Sequence, residues 1–503
     1  MWADYSNDRK VVRLNGILCL RLKIRRCPNS ECPRYHLPFR PETEGRYALP
    51  QQEFGLDVIA LVGALRYAGH RSVPEIRRDL TERGVEISER SVTNLLDRYD
   101  ELLTVTLADG TRLNSLLAQQ GRIILAIDGM QPDVGHEVLW VLRDCISGEV
   151  LLARSLLSSR AEDLAELIRI VRDHAQVPIV GVISDGQLSI RNAISKALPE
   201  VPHQLCHFHY LREAAKPIYE ADRHAKKELK KQVRGIRPIE RSVEDRIDTE
   251  SEVTLQYCSA VRSAITDDGR APLEAPGLKL EERLTAISAS LGRVAEKGGL
   301  PKPLQRLKAI LDKALAKTAD HWPAIRRAYD WVHRLASLLA NKDGLPGRRV
   351  RRRVAGLLGV MRRDRELAGR LTSAVDHFLK VTRSYWPGLF HCYDVPDLPR
   401  TNNALEQFFG SHRYHERRAT GRKAASPGLV LRGSVRLIAA TATRIRVYRA
   451  ADLCRANREE LKRLQEKLES RRQSRVERFR FRKSPSLYLE DLERRLLQPT
   501  LPS

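Results

Sequence analysis

The spacing of hydrophobic positions changes several times along the chain, and each change predicts a different kind of element. Residues 1–50 are strand-like and Pro-rich. From 51 to 105 the apolar residues recur at helical spacing. A first helix is expected from about Phe54 to Tyr67. A second begins where Ser72 can cap it, carries Pro74 in its first turn and stops at Gly84. The turn Val85-Glu86-Ile87 leads to Ser88, which caps a third helix through Tyr99. The pieces EIRRDLTERG and ISERSVTNLLDRY have the length and turn of a helix-turn-helix.

Residues 121–215 change to an α/β pattern. GRIILAIDG reads as a buried strand ending in Asp128, and HEVLWVLRDCISG and EVLLARSLL as two strands joined at Ser147-Gly148. SRAEDLAELIRIVRDHA is helical, with Leu164, Leu167, Ile168 and Val171 on one face. PIVGVISDG is a second buried strand ending in Asp185, followed by a helix from about Leu188 to Leu198 and a short strand, HQLCHF. Three antiparallel-type strands, helix, strand, helix, strand is the RNase H-like order, so an α/β mixed sheet is expected. Residues 216–395 carry almost no strand signal and predict an all-helical insertion, with a loop from Asp267 to Gly277. Residues 396–447 return to a mixed, helix-dominated pattern, the last part of the core. Residues 448–503 form a basic helical tail, with a charged helix from about Ala450 to Gln473.

Length and charge narrow the picture. A chain of 503 residues exceeds one compact core, and 42% hydrophobic residues suffice for globular folding over most of it. Lys plus Arg number 88 against 63 Asp plus Glu, a net charge of +25 that points to a polyanionic partner, nucleic acid above all. In that setting Arg90, Ser91, Thr93 and Asn94 on the third helix would face the major groove. No apolar run approaches the ~18 residues of a membrane span, and Met1 to Lys10 lack a signal-peptide apolar core. The eight cysteines are scattered, which fits a reducing cytoplasm. Cys27, Cys32 and His36, with Cys19 as a fourth ligand, make a possible zinc module of residues 1–50; the alternative is ordinary buried thiols.

Asp128 and Asp185 each close an apolar strand and precede glycine, where an α/β sheet projects functional groups. Converging carboxylates are what hard divalent ions require, and phosphodiester cleavage without a covalent intermediate uses two such ions ~3.5–4 Å apart. TNNALEQFF sets Thr401 or Asn402 at a helix cap and Glu406 about one turn in. Trp386 is placed either as a stacking platform for an unpaired base or in a core. Arg413, Arg417, Arg418, Arg422 and Lys423 follow Glu406 as phosphate contacts. SHRYHERR lacks the separated partners that a tyrosine-recombinase nucleophile needs.

Three motifs in order carry a family resemblance: Asp128 in AIDG, Asp185 in ISDG followed by Cys206-His207-Phe208-His209, and Asn402, Asn403 and Glu406 in TNNALEQFF with Arg413 downstream. The chain resembles DDE transposases of bacterial insertion sequences, related to Mutator-like elements and their C/D-x-x-H signature. The resemblance covers residues 121–215 and 400–425. It implies an RNase H-like core with an inserted helical domain and Asp128, Asp185 and Glu406 as a catalytic triad on two Mg²⁺ (or Mn²⁺) ions. Cys206, His209, Asn402 and Asn403 would orient that site. It further implies binding of double-stranded DNA at transposon ends and target, a homo-oligomer of at least two chains, and a cytoplasmic, nucleoid-associated location. Two rivals stand beside it: a domesticated, non-catalytic DNA-binding protein and an RNase H-like nuclease.

Overall fold

The computed structural model describes residues 2–108, 110–130, 137–421 and 427–497. Its strands form an antiparallel pair, β1 (Trp2–Arg13) with β2 (Gly16–Arg26), and a mixed sheet of β3 (Ile123–Met130), β4 (Val138–Asp144), β5 (Val150–Leu156), β6 (Ile179–Ser184) and β7 (His203–Leu205). The mixed sheet runs in the order β5-β4-β3-β6-β7, with β3-β4-β5 antiparallel and β6-β7 parallel. The fold is therefore mixed α/β. The chain divides into two compact units, Met1–Pro178 with Ala404–Ser503, and Ile179–Asn403. That division cuts the expected first core segment, 121–215, between Pro178 and Ile179.

In the first unit the three predicted helices are present: α1 (Leu56–Tyr67), α2 (Val73–Glu82) and α3 (Glu89–Ala108). Ser72 and Glu75 close a reciprocal capping box at α2. Gly84 takes φ +82° where the helix ends, and the Ser88 hydroxyl accepts from the Ser91 amide at 3.1 Å. The third helix runs nine residues beyond Tyr99 because Leu102, Leu103 and Val105 continue its buried stripe. α4 (Thr111–Gln120) follows and ends at Gly121, and α5 (Ala161–His174) crosses over between the strands.

These helices are not a separate domain of residues 51–105. Their apolar core also contains Ala439 and Ala440 of α17 (Pro427–Ile445), Leu453 of α18 (Ala450–Leu453) and Leu461 of α19 (Arg458–Lys483). Arg436 on α17 reaches Asp97 and Asp100 of α3, and Arg432 reaches Glu101. The tail is helical as expected, but α19 starts at the Asn457 cap and includes RVERFRFRK, and α20 (Pro485–Leu497) follows. α16 (Asn403–Thr420) opens the segment that precedes α17.

The second unit begins with β6, α6 (Leu188–Ala197) and β7. The predicted strand HQLCHF stops at Leu205, because Cys206 already opens α7 (His207–Ala214). The insertion then contributes α8 (Lys216–Gln232), α9 (Ile236–Arg241), α10 (Thr249–Thr266), α11 (Pro276–Gly298), α12 (Lys302–Thr318), α13 (Trp322–Ala340), α14 (Gly347–Arg363) and α15 (Thr372–Tyr385). Among its described residues there is no strand, and Leu284, Leu307, Trp331, Leu335 and Phe378 lie in one apolar core. Such a core lets roughly 180 residues fold as one inserted body.

Candidate functional site

Within the second unit the chemistry gathers at the end of β6. Asp185 follows the strand directly, and Gly186 takes φ +92° to turn the chain toward α6. Asp185 Oδ1 accepts from the Gln187 amide at 2.9 Å, and Ser184 Oγ accepts from the Gly186 amide at 3.3 Å. His203 on β7 holds Ser184 Oγ through Nε2 at 2.9 Å. Burial pushes the His203 pKa down to about 3, so the ring stays neutral in this contact.

Tyr385 closes the other side of this turn. Its hydroxyl donates to the Asp185 carbonyl at 3.2 Å, and its ring lies against Gly186. The Arg191 guanidinium sits 4.5 Å from the centre of that ring and donates to the Ser384 carbonyl at 2.8 Å. Burial raises the Tyr385 pKa, with the Asp185 charge adding to it and Arg191 opposing, so the hydroxyl remains a donor. Sequence reading picked out the neighbouring Trp386 and missed both Tyr385 and Arg191, because no local pattern links positions 191 and 385.

The C-x-x-H motif lies in the same unit. Cys206 is fully buried, and its amide donates to the Ser184 carbonyl at 2.9 Å. Its Sγ accepts from the Asn402 amide at 3.3 Å, although the two residues are 196 apart in sequence. The His207 amide donates to the Arg400 carbonyl at 2.9 Å, and His207 Nε2 donates to the Leu389 carbonyl at 2.7 Å. Burial lowers the His207 pKa to about 4. His209 is half-buried on the next turn. The structure thus brings Cys206 and Asn402 into contact. Asn402 Nδ2 and Asn403 Oδ1 are buried without a hydrogen-bond partner, which native interiors rarely leave unexplained.

In the first unit Asp128 sits inside β3 opposite Val141, so the strand continues past it to Met130. This corrects the expectation that the acid marks the strand end. Gly129 is required there by packing, since a Cβ would come within 2.9 Å of Val138 Cγ1 and 3.2 Å of Trp140. Asp128 Oδ1 accepts from the Gly129 amide at 2.8 Å. Glu406 is half-buried on the first turn of α16. Among the described residues, no group of three or more His, Cys, Asp or Glu side chains lies close enough together to hold a metal ion.

The candidate DNA contacts divide. Arg90, Thr93 and Asn94 are exposed at the start of α3, and Ser91 is half-exposed. Arg413, Arg417 and Arg418 are exposed on α16, and Arg422 and Lys423 lie outside the described residues. Trp386 is half-buried, edge-on to Phe390 at 4.9 Å and beneath Arg351, so it is packed rather than presented as an open platform. Glu416, also on α16, is buried and bound to Arg66 at 3.3 Å. At the N-terminus, Cys27 and His36 share a turn through the His36 amide and the Cys27 carbonyl. Cys19 lies within β2 and Cys27 just past its end. Eight residues of strand rise separate them, ~26 Å, so Cys19 cannot complete a zinc site with Cys27, Cys32 and His36. Compared with known proteins, the chain matches no family model, and no curated protein matches it by sequence.

Proposed function

We propose that the chain is a DDE-type transposase with an RNase H-like core, which binds transposon ends and catalyses DNA strand cleavage and strand transfer. The observation that carries this reading is the contact between Cys206 and the amide of Asn402, which joins the C-x-x-H motif to the Thr-Asn-Asn segment leading into Glu406. A structural thiol alone has no need of two motifs 196 residues apart in sequence. Three antiparallel strands followed by two parallel ones, in the order β5-β4-β3-β6-β7, accord with the same reading.

Asp128, Asp185 and Glu406 offer the hard oxygen donors that Mg²⁺ or Mn²⁺ takes, and two such ions would supply charge neutralisation and an activated oxygen nucleophile. The chain's own residues aim these groups. Ser184, His203 and Tyr385 fix the turn bearing Asp185, and the buried Cys206 fixes the chain just before the helix bearing Glu406. Exposed Arg90, Thr93 and Asn94 would read one end sequence, and Arg413, Arg417 and Arg418 would hold phosphates near the cut. Holding two ends at once calls for a homo-oligomer.

The test is a nicking and joining assay on duplexes ending in the inverted repeats that flank the gene, with Mg²⁺, Mn²⁺ or chelator. Metal-dependent release of a 3′-hydroxyl at the repeat boundary, followed by joining to a second duplex, is the expected result. Specific binding without nicking identifies a domesticated DNA-binding protein, and cleavage only of RNA–DNA hybrids identifies a nuclease.

A further inference from the structure

The helical insertion has a feature that the packing of its core does not use. α14 carries seven arginines and no acid in its 17 residues. Val350, Val354, Leu357 and Met361 form its buried stripe, at the i, i+4, i+7, i+11 spacing of one helix face. Every arginine lies outside that stripe and is exposed: Arg348, Arg349, Arg351, Arg352 and Arg353 at one end, Arg362 and Arg363 at the other. Between the two groups the exposed residues Ala355, Gly356 and Gly359 leave a low saddle. A Cβ added at either glycine would meet nothing within 4 Å.

The partnering of these arginines is uneven. Arg353 pairs with Asp343 at 3.2 Å, Arg363 with Asp364 at 2.7 Å, and Arg351 lies over Trp386. Among the described residues, Arg348, Arg349, Arg352 and Arg362 form no ion pair. Packing alone does not account for four unpaired guanidinium groups on one helix face, and their mutual repulsion disfavours the arrangement. Two glycines in a helix interior are also unfavourable relative to alanine, because glycine loses more backbone freedom on folding. Both features become favourable if a polyanion lies against the helix: arginines bind phosphate oxygens, and the saddle admits the sugar-phosphate backbone close to the helix.

The geometry points to α14 as a second, sequence-independent DNA-binding ridge, seated on the phosphate backbone of a duplex. From Arg352 to Arg362 the helix rises ~15 Å, which spans roughly four base pairs at 3.4 Å per step. The inference rests on the proposed reading of the chain as a DNA-binding protein and extends it to the insertion. It predicts that the insertion grips flanking or target DNA whatever its sequence.

The test uses the full chain without divalent metal, so that binding and cleavage fail separately. Binding to a 30-base-pair duplex of arbitrary sequence is followed by fluorescence anisotropy from 50 to 200 mM salt. Combining Arg348→Gln, Arg349→Gln, Arg352→Gln and Arg362→Gln removes up to four phosphate contacts. The slope of log affinity against log salt should become shallower by about 3–4, from ~0.9 per contact, with at least tenfold weaker binding at 100 mM. Gly356→Glu with Gly359→Glu fills the saddle without an internal clash. It should weaken binding at least fivefold while the thermal midpoint does not fall. An unchanged slope and affinity in the arginine variant overturns the inference, as does a loss confined to single-stranded RNA. A chain that never nicks DNA but loses this slope keeps the ridge and refutes the catalytic reading.

Discussion

Gly186→Ala probes how the Asp185 turn is held. Gly186 takes φ +92°, a region where a side chain costs about 1–2 kcal/mol for an L-residue. The new Cβ would also lie 2.7 Å from Tyr385 Cε1 and 3.0 Å from Cζ and the hydroxyl oxygen. Tyr385 cannot easily withdraw, because Arg191 covers its ring at 4.5 Å and Tyr210 packs at 5.4 Å. Relief therefore means giving up the hydrogen bond to the Asp185 carbonyl, about 0.5–1.5 kcal/mol. The sum is about 1.5–3.5 kcal/mol of local destabilisation. At ~2–4 °C per kcal/mol for a unit of this size, the unfolding midpoint should fall by roughly 3–14 °C. The assay pairs differential scanning fluorimetry with single-turnover nicking. Nicking should fall by more than tenfold even well below the midpoint, since the aspartate shares the strained turn. A midpoint within 1 °C of the parent and full nicking would refute the reasoning.

Three further outcomes follow from the same structure. Arg90→Ala or Asn94→Ala should cost about 1–3 kcal/mol in binding to the cognate end and nothing on unrelated duplex, as read by competition binding; equal losses on both would remove the major-groove role of α3. Glu416→Gln should lower stability by about 3 kcal/mol in urea unfolding, because it leaves buried Arg66 without its carboxylate partner, yet folded protein should nick normally. The pH dependence of the second unit has a definite sign. His203 and His207 are held neutral, near 3 and 4, whereas in the unfolded chain they take up protons below about 6.5. Their burial is therefore without cost above that value, and stability drops as pH falls toward the folded values, by about 2 kcal/mol per histidine between pH 7 and 5. In the first unit Asp100, raised to about 6 by burial, partly offsets the similar effect of His412. Hydrogen exchange at pH 7 and 5 should show the second unit losing protection first, and equal loss in both units contradicts this.

Much of the fold was legible wherever local chemistry decides it. Ser72, Pro74, Gly84 and Ser88 bracket α2 and α3 because caps and breakers act within a turn. The apolar runs before Asp128 and Asp185 appear as β3 and β6 because a strand buried on both faces needs continuous hydrophobic residues. Long-range closure was not legible. Nothing near residue 90 announces that α17 to α19 complete the core of α1 to α3. Likewise, nothing near Asp185 announces Tyr385, 200 residues later. Cys19 failed as a zinc ligand for a simple reason: proximity in sequence becomes distance in space once the segment between is a strand. The pairing of Cys206 with Asn402 was anticipated only as two members of one motif set, and the hydrogen bond between them is what the structure adds.

The most direct measurement of the central claim is metal-dependent nicking by charge-neutral variants of the acids, with end binding measured on the same preparations. Asp128→Asn, Asp185→Asn and Glu406→Gln keep size and hydrogen bonding but remove the charge a Mg²⁺ ion needs. Each should bind the transposon end as the parent does and lose cleavage and strand transfer by at least a thousandfold. Glu213→Gln, an exposed acid seven residues past Cys206, should retain both activities. Normal cleavage by Glu406→Gln, with loss in Glu213→Gln instead, would contradict the assignment of the third acid, and normal cleavage by all three variants would contradict the DDE reading itself.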